Sequence, residues 1–512
     1  MPSSSSTSLT TGAPWRVILA FSVPLLIGNI VQQLYQFTDA VVVGRHLGVN
    51  SLAAVGATGS VVFLVMGFAW GLTSGFAIPT AQSFGARDGA GVRRSVAAGT
   101  ILSLITSVVL TVGGYFLAEP MMLALRTPPQ LLAEATVFAQ VTFLGASTLV
   151  FFNFLAAIIR AIGDSRTPLL YLVVSCLINV VLVIVFVGLL DGGVGGAAWA
   201  TVAAQGVTVL MLAVHVRSRI PVLHVQRADW RVSGRELRRH LAIGLPFGFQ
   251  TSIIAIGTIA VQVRLNELGP SAVAAFTTAG RVDGLAIAIM QSFGLAVSMF
   301  TAQNLGARLF DRILIGVRHG LWLNIGASIV LGGLFLATGR LIVRGFIGSG
   351  SPDVVDHGYS TLVVWSLLYA ILALLFVVRG ALQGLGNTIV PMWSGVSELG
   401  VRIFAAVVLG AAYGYMGVVW SAPLAWVGAI VILVPAYVSA ARQLADGSFA
   451  VPRQSAHTVT AGIPILEPST ATGATPILEP LPATTGSIPA IDPDTDDAGW
   501  PPLLERDDAA ER

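Results

Sequence analysis

The chain has 512 residues, of which 55% are hydrophobic and 10% charged, whereas soluble domains carry charge on about a quarter of their residues. That excludes an ordinary soluble protein and leaves a polytopic helical membrane protein. All 28 basic residues are Arg, which excludes a phosphate-binding loop with its Lys and also Schiff-base catalysis; uphill transport here needs an ion gradient or a partner.

In chain order, the first 14 residues are Ser/Thr-rich and are expected to form a disordered tail. It is no cleavable signal peptide, because the segment that follows is long and carries Asp39. Hydropathy then places twelve spans near 15–43, 52–79, 96–118, 133–159, 168–190, 194–216, 241–264, 271–300, 315–338, 358–382, 390–411 and 415–440.

The first span is unusual. Asn29, Gln32, Gln36 and Asp39 follow at spacings of 3, 4 and 3, on one helical face among apolar neighbours. A carboxyl group in hydrocarbon costs about 2.5–3.5 kcal/mol on insertion scales and marks a functional position or a structural hydrogen bond at a helix end. We read this stripe as facing a polar cavity. Pro24 lacks the N–H that would complete the helix and is a candidate hinge.

Further along, Cys176 is the single cysteine, so neither a disulfide nor a cysteine metal site is expected. His46, His215, His240 and His357 lie near predicted helix ends without metal-ligand spacing, and no metal or cofactor is expected. In the second half, Arg281 with Asp283, and Glu398 with Arg402, are charged residues inside predicted spans. They are candidates for structural ion pairs or for cavity and gating roles.

The sequence also repeats. Residues 80–87, Thr-Ala-Gln-Ser-Phe-Gly-Ala-Arg, return at 301–308 as Thr-Ala-Gln-Asn-Leu-Gly-Ala-Arg, an offset of 221, and Pro24 is answered by Pro246. Gly196 with Trp199 is answered by Gly417 with Trp420. Six spans per repeat is an even number, so both halves enter the membrane from the same side. The expected fold is all-α, with two six-helix lobes related by a pseudo-twofold axis along the membrane normal. The N-lobe spans 15–218, a cytoplasmic linker 219–240 and the C-lobe 241–440. With the N-terminus inside, 18 Arg fall on inner loops and flanks and 5 on the outer side, which places both termini in the cytoplasm and the basic face against anionic lipid. The tail 441–512, with eleven acids and four Arg among Pro, Thr and Ala, is expected to be disordered.

Taken together, the first-span segment Gln36-Phe-Thr-Asp39-Ala-Val-Val-Val-Gly44, the fourth-span exit Arg160-Ala-Ile-Gly163-Asp164-Ser-Arg166-Thr-Pro168 and the duplicated halves resemble the multidrug and toxic compound extrusion (MATE) family over about 15–440. The DinF-like branch is the most similar, and there the resemblance implies that Asp39 couples transport to a cation. The acids that mark the NorM-like branch are missing: Gln250 follows Pro246, and the tenth span reads Leu374-Leu-Phe-Val-Val378. Asn179 is present on the fifth span, but Val183 stands where many relatives place a second acid. Asp39 is therefore expected to act with neutral partners, drawn from Gln32, Gln36, Asn153 and Asn179.

A coupling carboxyl must change charge as its ion comes and goes, and burial, by disfavouring the charged form, makes loading by protons feasible. The same oxygens suit Na⁺. The resemblance implies a cation-coupled antiporter, H⁺ favoured over Na⁺, that exports amphipathic, often cationic organic compounds from the cell membrane by alternating access. It would act as a monomer, among lipids, without nucleotide or nucleic acid. A lipid-linked oligosaccharide flippase of related architecture is the alternative. An enzyme is not expected, because the spans hold no nucleophile–base or metal-ligand cluster.

Overall fold

The computed structural model describes residues 8–125, 127–347 and 352–450. It is helical almost throughout. Helices α1 (Pro14–Leu47), α2 (Val49–Gly85), α3 (Gly89–Ala124), α4 (Pro129–Leu144), α5 (Ala146–Ala161), α6 (Arg166–Val183) and α7 (Gly193–Arg219) form the first half. The second half is α8 (Gly234–Leu268), α9 (Pro270–Gly306), α10 (Phe310–Ile347), α11 (Pro352–Gly384) and α12 (Ile389–Ala445). A π-helical turn, Ile184–Leu189, extends α6.

Among the described residues ten helices are long and apolar enough to cross a membrane, and α4 with α5, bent by 47°, make an eleventh span. The twelfth is hidden in the 57 residues of α12, where Gly414 has φ 57° and ψ −133°. A Cβ on Gly417 would lie 1.9 Å from the Leu409 carbonyl oxygen, and one on Gly410 3.1 Å from Val418. Residues eight apart on a continuous helix are separated by about 12 Å, so the chain reverses here. Ser397 Oγ donating to the Gly428 carbonyl at 3.0 Å confirms an antiparallel hairpin. Twelve spans result, as the sequence predicts.

The backbone repeats with the sequence. Arg87 and Arg308, both past a helix C-terminus, have φ 56° and 57°. Arg87 N–H donates to Phe84 O and Asp88 N–H to Ser83 O; Arg308 N–H donates to Leu305 O and Leu309 N–H to Asn304 O. These are the helix-ending bonds that a left-handed residue permits. Gly193 (φ 57°) pairs in the same way with Gly414, so the reversal inside α12 repeats the turn before α7.

Large apolar side chains such as Phe116, Leu210, Val330, Leu341 and Phe404 are exposed, a surface suited to lipid and costly in water. At the end that carries the N-terminus and the linker, the halves share one core: Ile18 of α1, Ala77 of α2 and Ala157 of α5 pack with Val297 and Phe300 of α9. Gly71 and Gly75 of α2 also sit directly on Gly248 and Gly244 of α8, where a Cβ would come within 2.9 and 2.6 Å of the facing backbone. Small residues four apart let two membrane helices approach this closely.

Three expected boundaries change. The N-terminal tail, read as disordered through Pro14, is packed from residue 8 onward. Leu9 is 2% exposed because its side chain enters the shared core, while its N–H and C=O bond to Gln303 and Asn304. The linker ends at residue 233 and not at 240, because Ser233 and Glu236 form a capping box that starts α8 early. Arg93–Asp229 (3.0 Å) and Arg94–Glu236 (3.2 Å) tie this region to the start of α3. The tail expected over 441–512 is helical to Ala445, and beyond residue 450 it lies outside the described residues.

Candidate functional site

A cavity of about 480 Å³ lies between the halves. Most of its wall belongs to the first half, with Thr251 of α8 and Gln291, Ser292 and Leu295 of α9 closing it from the second. Three expected site residues, Asn29, Gln32 and Asn153, line it, together with Pro24. Asn29 reaches across, its Nδ2 donating to Ser292 Oγ at 3.0 Å and to the Ala288 carbonyl at 3.2 Å. α1 runs through Pro24 without a break, so the candidate hinge is helical in this conformation.

Asp39 lies elsewhere, and the predicted polar stripe is divided. Gln36 is exposed and does not line the cavity. Past Tyr35 the helix turns its buried side toward α6 and α7, with Val43 packed on Val183 and Val187. Asp39 therefore faces its own half. Its Oδ2 accepts from Thr201 Oγ1 at 3.4 Å, and that hydroxyl accepts from Asn179 Nδ2 at 3.2 Å. Asp39 Oδ1, Asn179 Oδ1 and the Tyr35 hydroxyl are buried without a partner. Three buried polar atoms without a protein partner are thus gathered around one carboxyl group. Val183 is fully buried in an apolar group with Val43, Val187, Ala197 and Ala200, so the position offers Asp39 an apolar neighbour and no second acid.

Thr201 and Tyr35 were not evident from the sequence. Thr201 lies 162 residues from Asp39, and no periodicity links them. Arg160 and Arg379, each near the inner end of a predicted span, count by position alone among the 18 inner Arg. Instead Arg160 lines the cavity, and Arg379 is buried, its Nη2 bonded to Glu398 at 3.0 Å.

In the second half, Glu398 and Arg402 pair as their spacing suggests, at 3.1 Å. Arg379 makes this a triad in which both Glu398 oxygens are held. Arg281 and Asp283 do not pair. They are two residues apart on α9, which points them in different directions: Arg281 is exposed, while buried Asp283 accepts from the Tyr369 hydroxyl at 2.8 Å. Gln250 is committed to structure, accepting from Gln383 at 2.9 Å and donating to the Pro391 carbonyl at 3.1 Å. His240 is buried in the second turn of α8 and bonded to Ser95 at 2.9 Å.

The MatE family model matches residues 24–185 and 246–408, one match per repeat. The probable multidrug resistance protein YoeA of Bacillus subtilis (strain 168) is 30% identical over 363 residues, covering 69% of this chain and 78% of that protein. The probable multidrug resistance protein YpnP of the same strain is 28% identical over 379 residues, 74% of this chain and 84% of that one. Among solved structures, a MATE in the bent conformation superposes with a TM-score of 0.81 at 24% identity, over 87% of this chain and 99% of that one. An outward-facing multidrug resistance MATE family transporter gives 0.80 at 23% identity, over 88% and 100%. These structures share the fold.

Proposed function

From the premise that this chain belongs to the MatE family, we propose that it exports amphipathic organic compounds through the cavity between its lobes, driven by cation exchange at Asp39. The observation that carries this reading is the cluster at Asp39, where one carboxylate oxygen is held by Thr201 and the other is buried and unmatched beside the orphaned Asn179 Oδ1. A proton on Asp39 supplies the missing donor, and its loss restores a charge that the apolar walls at Val43 and Val183 disfavour. Among the described residues no basic side chain is paired with the carboxyl. Na⁺ is the second reading, since the same unmatched oxygens suit a hard cation. The flippase alternative is weaker, because the matched relatives are named as multidrug resistance proteins.

Asp39 and the cavity are joined through α1, whose Asn29 and Gln32 line the cargo space while Asp39 sits about two to three turns further along. Loading Asp39 would shift α1 against α6 and α7 and so reshape the cavity wall, with Pro24 as the hinge. Cargo and cation then favour different arrangements, which is the linkage that antiport needs. In this conformation the lobes are closed at the Arg-rich face, which the charge asymmetry assigns to the cytoplasm along with both termini.

The test is Asp39→Asn in proteoliposomes under separately imposed pH and Na⁺ gradients. Asn keeps the size and the hydrogen bonds but cannot titrate, so gradient-driven flux should stop while folding and cargo binding persist. Wild-type flux in the variant would move the coupling site elsewhere, with Asp283 and Glu398 next in order. The gradient that drives the wild-type protein separates H⁺ from Na⁺.

A further inference from the structure

The cavity is polarised along its length. Its wall follows α1 from Pro24 to Tyr35, about 16 Å at the helical rise. Its floor, at the closed Arg-rich end, holds Arg160, Ser165 and Pro168; Met66, Trp70 and Phe152 supply an apolar and aromatic flank above it. Among the described residues that line the cavity, Arg160 is the one charged side chain, and no Asp or Glu accompanies it.

Arg160 is also without a partner. Its guanidinium makes no hydrogen bond or ion pair with any described residue. The acid nearest in sequence, Asp164, is occupied in capping α6, accepting from Arg166 N–H, Thr167 N–H and Thr167 Oγ1 at 2.9, 3.0 and 2.6 Å. Because Asp164 does the capping, the Ser165 hydroxyl makes no capping bond although Ser165 stands at the N-cap position. Ser165 is 5% exposed, and what remains of its surface borders the cavity floor. A guanidinium cannot lose its proton in a protein, so Arg160, half-buried on the cavity wall, presents a permanent positive charge there with no counter-charge among the described residues. The helix C-terminus at α5 offers Arg160 about 0.3–1 kcal/mol, far less than a counter-charge.

We propose that the cavity floor is an anion-binding site, with Arg160 as the charge partner and Ser165 as a second donor. The preferred cargo is then an amphipathic anion whose carboxylate, sulfonate or phosphate sits on Arg160 while its apolar body lies against Met66, Trp70 and Phe152. This replaces the cationic preference implied by resemblance. It rests on the exporter reading only for the word cargo, since the site itself is defined at equilibrium. A planar guanidinium grips such groups through two parallel N–H···O bonds. Lipid headgroups and soluble amphiphiles share this chemistry.

The test uses two probes with one ring and opposite charge, 2-naphthalenesulfonate and 2-naphthyltrimethylammonium. They are titrated calorimetrically into the full-length protein in phosphatidylcholine nanodiscs, with no gradient. The sulfonate should bind at least about tenfold more tightly than the ammonium probe. Arg160→Gln should lose about tenfold for the sulfonate and leave the ammonium probe unchanged, and Arg160→Lys should recover part of the loss. Equal or tighter binding of the cation by the wild-type protein overturns the proposal, whether or not Arg160→Gln folds; so does an unchanged sulfonate affinity in folded Arg160→Gln. In a second arm phosphatidylglycerol is added to the nanodiscs. Competition with the sulfonate assigns the anion to a lipid headgroup, its absence assigns it to a soluble amphiphile, and both results support an anion site. Failure of the Asp39→Asn flux test leaves all of these readings intact, so the two hypotheses fall separately.

Discussion

Gln82 of α2 and Gln303 of α9 make the same bond in opposite directions. Gln82 Nε2 donates to the Gly384 carbonyl at 3.1 Å, and Gln303 Nε2 donates to the Ala161 carbonyl at 2.7 Å. Each crosses from its own half to a helix end in the other. The exchange is reciprocal at the backbone too, since a Cβ on Gly85 would meet Gln303 O and one on Gly306 would meet Gln82 O, both at 1.9 Å. Residues that swap contacts in this way lie about a twofold axis, so the axis predicted from the repeats passes between these two helix ends.

That pairing yields a prediction about the transport cycle. Opening the Arg-rich face has to break both crossings. A buried carbonyl left without its donor costs about 1–3 kcal/mol. Gln82→Ala with Gln303→Ala should therefore shift the population toward a conformation open on that face. Distances between spin labels across the two lobes should lengthen for a larger fraction of molecules than in the wild type, and an unchanged distribution would show that these bonds do not hold the face closed.

The N-terminal segment braces the same crossing. Leu9 N–H donates to Gln303 Oε1 at 3.0 Å, and Arg312 holds the Thr11 and Gly12 carbonyls at 2.8 and 2.7 Å. Burying a Leu side chain is worth about 1.5–3 kcal/mol, and Asp in its place is charged in an apolar site. Leu9→Asp should lower the unfolding temperature in detergent by several degrees and open the Arg-rich face as the paired Gln substitutions do. Thermal stability equal to wild type would mean that the segment is dispensable.

What the sequence makes legible here is what is local or repeated. The twelve spans, their two sets and the turn at Gly414 follow from hydropathy and from a register that the backbone repeats at Gly193. The partners of Asp39 are not legible, because helix periodicity assigns Asn29, Gln32, Gln36 and Asp39 to one stripe and says nothing of which neighbour covers each turn. Asn29 of that stripe meets α9, while Asp39 meets α7. Arg379 was hidden for a related reason: a basic residue near a span end reads as a cytoplasmic flank until Glu398 is found opposite it.

Val183 marks a further limit. The position looks open to a second acid by family resemblance, yet its side chain is fully buried among apolar neighbours. Val183→Asp should lower expression and the unfolding temperature, by about 2 kcal/mol or more for an unmatched buried polar group, unless it shares a proton or cation with Asp39. Restoration of stability by Na⁺ or by acid would identify that sharing. Unchanged stability in their absence would show that the pocket is already hydrated.

Asp39 and Glu398 should part company when neutralised. Glu398 lies between Arg379 and Arg402 at 3.0 and 3.1 Å, and all three side chains are nearly enclosed, at 8–13% exposure. Removing its charge leaves two buried guanidinium groups without compensation, which costs about 3–5 kcal/mol when a buried pair is broken. Among the described residues Asp39 bonds to the Thr201 hydroxyl and pairs with no basic side chain, so making it neutral removes a desolvation cost and breaks no ion pair. Glu398→Gln should therefore fall well below wild type in thermal unfolding, and Asp39→Asn should match or exceed wild type. Flux should run the other way: whatever Glu398→Gln protein survives in the membrane keeps gradient-driven transport, and Asp39→Asn loses it. If stability and transport fall together in both variants, the structural role assigned to Glu398 and the coupling role proposed for Asp39 have not been separated by the geometry, and both assignments fail.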